Sequence, residues 1–595
     1  MGALDGLNAD QRRAAEAVRG PVCILAGAGS GKTTTITHRI AHQVESGAFA
    51  APQILAVTFT DKAAGELRAR LGGLGVSGVR ASTFHAAALR QLRHFAPERV
   101  GKILPSKVLL LRQLANRLPA PYKFRPAGDL ATEIEWAKNR RVAPPEYEGR
   151  DPPIPLDLMQ RIYRDYERRK ADEGAIDFED LLELAVRLFE EREDVRETFR
   201  AQYRAFTVDE YQDVNLLQQT LLDLWLGERD DLCVVGDDYQ SIYAFTGAGP
   251  EHLLGVPQRF PQALVVRLED NYRSSPQVLA LANRLVPSLG GAEKTLRPTR
   301  PDGPEPVLRP YPGAEEEGAA IVAAIRALDC PLEEVAILAR TNARLTDFEE
   351  LLHEAGVAFQ GASLLDRDAA RRLCKRLERS GSPAAEAVRA AALEAGWLER
   401  VPEKLGEREL VRQQDLARLV TLAAGFDGGA AAFVDWLRER FSPGGDGAHG
   451  VHLLTYHRAK GLEFDAVFLP RLQERELPAP RADVDEERRL LYVGLTRARR
   501  VLWVTWSGKR SRFLAELGHE PEPSAWSPEA QVLREWRLER ARADGVPPYV
   551  VFHDSVLQAI AAARPASLGE LAQISGVGPA KLERYGAEVL ALVES

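Results

Sequence analysis

The sequence predicts an α/β protein with two parallel-sheet units, each interrupted by a helical insertion, and a small helical bundle near the C-terminal end. Three observations carry this. Apolar strand-like runs alternate with helical patterns up to about residue 86 and again from near Tyr203, the signature of a parallel sheet. A second alternation starts near Val265 and returns at Val451 after a long helical stretch. Past residue 526, apolar residues recur at helical spacing.

In chain order, an amphipathic helix over Leu7–Val18 carries Gln11, and the apolar run from Val22 ends in V-C-I-L-A-G-A-G-S-G-K-T-T (Val22–Thr34). This is the pattern of a phosphate cradle. The small residues Ala26, Gly27, Ala28, Gly29, Ser30 and Gly31 let successive backbone N–H groups converge on an anion. A helix start adds its dipole, Lys32 supplies charge, Thr33 offers a hydroxyl to Mg²⁺, and Thr34 completes the run. Ala26 stands where the strict motif has glycine, so the match is to the relaxed form. A strand at Ile54–Phe59 and a helix over Lys62–Leu71 follow. Residues 87–199 are helical, rich in Arg and Glu and broken by Pro-rich loops such as Ala143–Pro155. They read as the first insertion, which leaves 1–86 and 200–264 to the first unit.

The chemical partner of the cradle is Phe206–Asn215, F-T-V-D-E-Y-Q-D-V-N. An apolar strand delivers two adjacent carboxylates at its C-terminal end, where a parallel sheet binds ligands. Asp209 is placed to hold Mg²⁺ and Glu210 to polarise an attacking water. Alone, this would equally be an acidic loop; the upstream cradle decides. The second unit occupies 265–360 and 449–515, with strands at Val335–Ala339, Val451–Leu454, Val467–Pro470 and Val501–Thr505. Between them, 361–448 is a shorter helical insertion closed by S-P-G-G-D-G-A-H-G. A polar linker (516–526) leads to a helical domain at 527–595, long enough to fold alone.

Composition excludes several classes. With 45% hydrophobic and 28% charged residues the chain reads as globular, and no apolar run reaches membrane-spanning length. The N-terminus is no secretory signal, which points to the cytoplasm. The four scattered cysteines suit small buried side chains better than ligands or disulfides. A net charge of −8 means that nucleic acid, if bound, lies in a local groove.

Four further runs follow in order: V-V-G-D-D-Y-Q-S-I-Y-A-F-T-G-A (234–248), L-E-D-N-Y-R-S-S (268–275), Y-H-R-A-K-G-L-E-F (456–464) and E-E-R-R-L-L-Y-V-G-L-T-R-A-R (486–499). Together they resemble the superfamily 1 DNA helicases of the UvrD/Rep/PcrA type over about 1–515. The resemblance implies two RecA-like motor domains, ATP with Mg²⁺, and single-stranded DNA and its junctions with duplex as partners. It implies that Gln11 reads the adenine edge, Tyr272 stacks on the base, and Arg39 makes a further nucleotide contact. Gln240 would sense the γ-phosphate, Arg273 and Arg497 would clamp it, and Glu463 would accept from the ribose. Phe59 and Phe245, with Tyr243 and His457 as further candidates, would stack on bases; each aromatic alone reads equally as core. The family usually has Trp-Arg where this chain has Phe245–Thr246, and Asn where it has Asp61.

The tail resembles an HRDC domain, carried by G-V-P-P-Y-V-V-F-H-D-S-V-L (545–557) and S-L-G-E-L-A-Q-I-S-G-V-G-P-A-K-L-E-R-Y-G (567–586). Ile560, Leu568, Leu571, Ile574 and Leu582 form its expected core, and G-V-G-P-A-K with Lys581 and Arg584 reads either as a phosphate-contacting turn or as a plain helix start. The leading expectation is an ATP-dependent 3′→5′ helicase of repair or replication, nucleoid-associated when on DNA, whose tail adds DNA or repair-protein contacts. The alternatives are a translocase that strips proteins without unwinding, favoured by the short second insertion, and a nucleotide-switched scaffold.

Overall fold

A computed structural model describes residues 2–150, 152–361, 364–378, 380–400, 407–441, 449–480, 482–519 and 527–594. The chain divides into two compact units, Met1–Gly518 and His519–Ser595.

The larger unit holds two six-stranded sheets in which every pairing is parallel. The first contains β1 (Val22–Ala26), β2 (Ile54–Thr58), β3 (Arg80–Thr83), β4 (Ala205–Val208), β5 (Leu232–Gly236) and β6 (Leu264–Leu268), in the order β3-β2-β4-β5-β1-β6. The second contains β7 (Val307–Pro310), β8 (Val335–Ala339), β9 (Phe359–Gly361), β10 (Val451–Thr455), β11 (Phe464–Leu469) and β12 (Ala498–Trp506), in the order β7-β12-β11-β8-β10-β9.

Period-two alternation explains the two-sided burial of the first sheet. Val22, Ile24 and Ala26 join one apolar cluster with Ile36, Ile40 and Leu67 from helices Lys32–Glu45 and Asp61–Gly73. Cys23 and Leu25 face the opposite cluster, with Phe84, Leu182 and Trp225. Cys23 and Cys233 are buried single thiols.

Three expectations change. The run at Val265 does not open the second sheet: β6 pairs along β1, Val22 against Leu264 and Ala26 against Leu268, as the edge strand of the first sheet. An apolar strand does not encode its neighbour, so sequence order misplaced it. The first insertion is also narrower than 87–199. Helices Phe84–Phe95 and Phe178–Glu191 pack into the first sheet's cluster, while a separate core runs from Leu110 to Tyr166. Helical spacing shows that a face is apolar, not which core covers it. In the tail, Ile560 and Leu571 are buried and Ile574 and Leu582 pack against them, but Leu568 is 46% exposed.

The second insertion has its own cluster, from Leu364 to Leu437. The expected flexible segment 442–450 lies outside the described residues except for His449 and Gly450, and of the expected linker 520–526 lies outside them. Among the described residues, no helix is long and apolar enough to cross a membrane.

Candidate functional site

β1 delivers the turn Gly27–Gly31 directly onto the helix Lys32–Glu45. Gly29 (φ 65°) and Gly31 (φ 79°) hold left-handed backbone. A Cβ at Gly29 would come within 2.7 Å of Arg273 and Asn271 side-chain atoms, and one at Gly31 within 2.6 Å of Gln11 Nε2. Glycine alone meets both demands. Ala26 needs no such freedom, because it is the last strand residue and its methyl group fills the core. Among the described residues the N–H groups of Ala28, Gly29 and Gly31 find no acceptor, and a helix's first-turn N–H groups lack intrahelical partners. The cradle therefore fits an anion, with Lys32, Thr33 and Thr34 at its mouth.

At its base end, Gln11 closes a capping box with Asn8 and donates through Nε2 to Ser30 O (3.1 Å). Its amide keeps one further N–H and one lone pair for a ligand. Asn8 Nδ2 donates to the Tyr272 hydroxyl (2.7 Å), which brings this half-exposed ring beside Gln11. Asn271 anchors the Tyr272 segment to the cradle through Ala28 O (2.7 Å).

Arg39 departs from expectation. It is 1% exposed, and its Nε donates to Ala17 O (3.0 Å), tying the end of the first helix to the helix Lys32–Glu45. Two helical turns below Lys32, it offers no surface to a nucleotide; Thr34 occupies the first turn instead.

β4 ends at the carboxylate pair. Burial, reinforced by Glu210, pushes Asp209 up to about 7. Burial also disfavours charge on Glu210, but Lys32 and Lys460 outweigh it and hold that carboxyl below its ordinary value. Glu210 sits in left-handed backbone (φ 51°), a strain of ~1–3 kcal/mol for a non-glycine residue. Gln212, fully buried, donates to Glu210 Oε2 (2.6 Å) and accepts from Asp237 N (2.9 Å).

Across the cleft, Arg497 is 1% exposed and donates to Val493 O, Leu462 O and, through Nη2, Gln240 Oε1 (3.0 Å). Burial, then the neighbouring Arg273, lowers it to about 9. Arg273 donates to Glu463 Oε2 (2.6 Å) and Thr496 O (3.2 Å). Glu463 is thus held by Arg273 and Arg499, although its side chain remains 41% exposed.

The four expected aromatics meet in one cluster. Tyr243 stacks on Phe59 (6.3 Å, 9°), meets Phe245 edge-on (6.0 Å) and lies 6.3 Å from His457, itself 6.0 Å from Phe245. Phe59 and Phe245 are the exposed members. Burial, with Arg340 and Lys460 nearby, lowers His457 to about 3, so the ring is neutral.

Sequence reasoning missed the residues that join these groups. Lys460 Nζ pairs with Asp213, donates to Gln240 O (2.6 Å), and lies 4.9 Å over the Tyr243 ring. Burial raises Asp213 to about 6 while Lys460 pulls it down. Asn139, from the first insertion, donates to Thr246 O (2.8 Å) beside Phe245. Lys460 and Gln212 stood inside the motif runs, but their spacing says nothing about partners in another run.

Residues 7–261 match the UvrD/REP helicase N-terminal domain family, 266–371 and 437–509 the UvrD-like helicase C-terminal domain, and 530–593 the HRDC domain. The chain is 39% identical to "ATP-dependent DNA helicase UvrD2" of Mycobacterium tuberculosis, covering 99% of this chain and 98% of that protein. It is 30% identical to "ATP-dependent DNA helicase PcrA" of Bacillus subtilis over 86% of each. A solved "D. radiodurans RecQ HRDC domain 3" is 35% identical over 12% of this chain and 93% of its own, with a TM-score of 0.12. The paired sheets, the cradle and the motif order thus have one source: the chain belongs to the UvrD/REP family of ATP-dependent DNA helicases and carries a C-terminal HRDC domain.

Proposed function

We propose that this protein hydrolyses ATP to move 3′→5′ along single-stranded DNA and to separate duplex at junctions, in repair or replication. The observation that carries the reading is Lys460. One ammonium group touches the turn beyond Glu210, the backbone of Gln240 and the face of Tyr243. Nucleotide chemistry and the aromatic grip therefore share a side chain.

In this reading the cradle 26–34 holds the phosphates, Gln11 and Tyr272 the base, and Glu463 the ribose once Arg273 turns to the γ-phosphate. Thr33 and Asp209 would hold Mg²⁺, which neutralises phosphate charge; the Thr33 hydroxyl makes no hydrogen bond among the described residues. Glu210, held by Gln212, orients the water. Arg273 and Arg497 meet charge developing in the transition state, a contribution worth ~10³–10⁵ in rate for an arginine finger. They come from the second sheet's side, so nucleotide draws the halves together and its loss releases them. Phe59 and Phe245 supply sequence-tolerant stacking at ~1–3 kcal/mol per base. The first motor domain is 1–95 with 178–268, around the insertion whose core runs from Leu110 to Tyr166. The second is 269–360 with 449–515, and the tail makes auxiliary contacts to DNA or repair proteins.

The small second insertion, with one compact core, favours as second reading a translocase that displaces proteins without efficient unwinding. ATP turnover with and without single-stranded DNA, alongside strand release from a 3′-tailed duplex, tests both. DNA-stimulated turnover with strand release is expected. Stimulation without release selects the translocase, and no stimulation rejects both.

A further inference from the structure

Lys294 lies outside every motif run and is buried to 1%. Its ammonium pairs with Asp237 Oδ1 (3.0 Å) and with Asp238, and stands 4.0 Å over the face of Tyr239. Asp237 and Asp238 are as deeply buried. The backbone around it follows the same turn: Lys294 N donates to the Tyr239 hydroxyl (3.2 Å) and Ala292 N to Asp238 Oδ2 (2.8 Å).

Asp237 is a hub. Its other oxygen, Oδ2, accepts from Gln240 Nε2 (2.7 Å), and Oε1 of the same Gln240 amide accepts from Arg497 Nη2. Its backbone N–H donates to Gln212, which grips Glu210. The anchor of Lys294 lies elsewhere. Leu296 exchanges two hydrogen bonds with Asn283, at the end of helix Pro276–Asn283, and Leu285, Leu289 and Leu296 share a core with Leu490 and Leu491 of helix Val484–Leu495. That helix also contributes Tyr492, whose buried hydroxyl has no hydrogen-bond partner among the described residues and whose ring meets Tyr239 edge-on (5.6 Å).

We propose that Lys294 is a positioning residue for γ-phosphate recognition: anchored among the second half's helices, it fixes Asp237 and thereby the amide of Gln240 and, through Gln212, the carboxylate of Glu210. It touches no substrate. A neutral side chain would leave Asp237 and Asp238 to repel each other in a dry site, and the Gln240 amide would lose its fixed acceptor. Burial opposes charge on Lys294, but the two aspartates hold its ammonium above the ordinary lysine value, so the pin stays charged.

The inference rests on the reading of Gln240 as γ-phosphate sensor, and the test separates the two. Full-length wild type, Gln240→Ala, Lys294→Met, Lys294→Gln and the Lys294→Met/Gln240→Ala double variant are compared by equilibrium binding of ADP and of a non-hydrolysable ATP analogue, with thermal melting as a fold control. The preference for the analogue over ADP should fall about tenfold in Gln240→Ala and similarly in Lys294→Met, with ADP affinity unchanged, and the double variant should lose little more, because coupled residues are non-additive. Lys294→Gln, which keeps a donor, should recover part of the preference and carries the test if Lys294→Met does not fold. No loss in Gln240→Ala overturns the sensor reading itself. A loss there with wild-type preference in the Lys294 variants, or with fully multiplicative losses in the double variant, overturns the role of Lys294 alone.

Discussion

Glu210 shows what a single residue is asked to do. Its strained backbone, its bond from Gln212 and the pull of Lys32 and Lys460 combine to present a charged carboxylate at the cradle. Glu210→Gln keeps shape and removes basicity, so it should leave ATP affinity within a few-fold and reduce turnover by about 10²–10⁴, the range of a general base. Filter-bound nucleotide and phosphate release check the two halves of that statement, and retained turnover would reject the assignment. Lys460 makes a different demand. Lys460→Met keeps the aliphatic stem but leaves Asp213 buried and unpaired, at a cost on the order of 3–5 kcal/mol. If Lys460 links hydrolysis to the aromatic grip, DNA stimulation of ATPase should fall more than the DNA-free rate. An equal fall in both would make it a stabilising ion pair only. Lys32, Asp209, Glu210 and Arg497 could be singled out as candidates because they stand in motif runs, and Gln11 because of the resemblance. The structure sets Gln11 against Ser30 O of the cradle and Arg497 against Gln240. Arg39 was misread because nucleotide contact was inferred from nearness in sequence, and a helix turns such a residue into the core as readily as toward a ligand.

Among elements, the helix Ala127–Asn139 has the most to transmit. Lys138 binds both oxygens of Asp177 at 2.7 Å and approaches Asp180 at 2.5 Å, and the next residue, Asn139, holds Thr246 O beside Phe245. Its last turn is therefore fixed between the first sheet's helices and the loop that carries Phe245. Asn139→Ala removes one donor to a loop carbonyl, worth ~1–3 kcal/mol where that group cannot reach water. Apparent affinity for single-stranded DNA should weaken several-fold, with turnover at saturating DNA nearly kept. Unchanged affinity would show that the loop needs no such support. The insertion's existence was legible from its helical Arg/Glu-rich pattern; its true edge was not, since Phe84–Phe95 and Phe178–Glu191 have apolar faces that fit either core.

For the whole molecule, the tail folds around its own cluster of Leu533, Phe552, Leu557 and Val589, as a unit separate from the motor. Deleting 527–595 should leave DNA-stimulated ATPase intact and weaken binding to structured DNA. Equal binding before and after would remove the tail from DNA recognition and leave protein contact as its role. Its cations are substantially spent: Arg584 pairs with Asp544, Arg564 with Glu529, and Lys581 covers Phe552. The turn read as a phosphate site thus keeps little charge to offer.

The sequence by itself determined the fold class and the order of the parts, and it singled out Lys32, Asp209 and Glu210 as the candidates for nucleotide chemistry, because strand and helix periodicity and a phosphate cradle are local patterns set by sterics and hydrogen bonding over a few residues. Only the tertiary structure decided that β6 closes the first sheet, that Phe59, Tyr243, Phe245 and His457 form one cluster, and that Lys294 and Lys460 bind acids from distant runs. A charge has no direction in sequence; its partner is chosen when packing removes the water that would otherwise satisfy it.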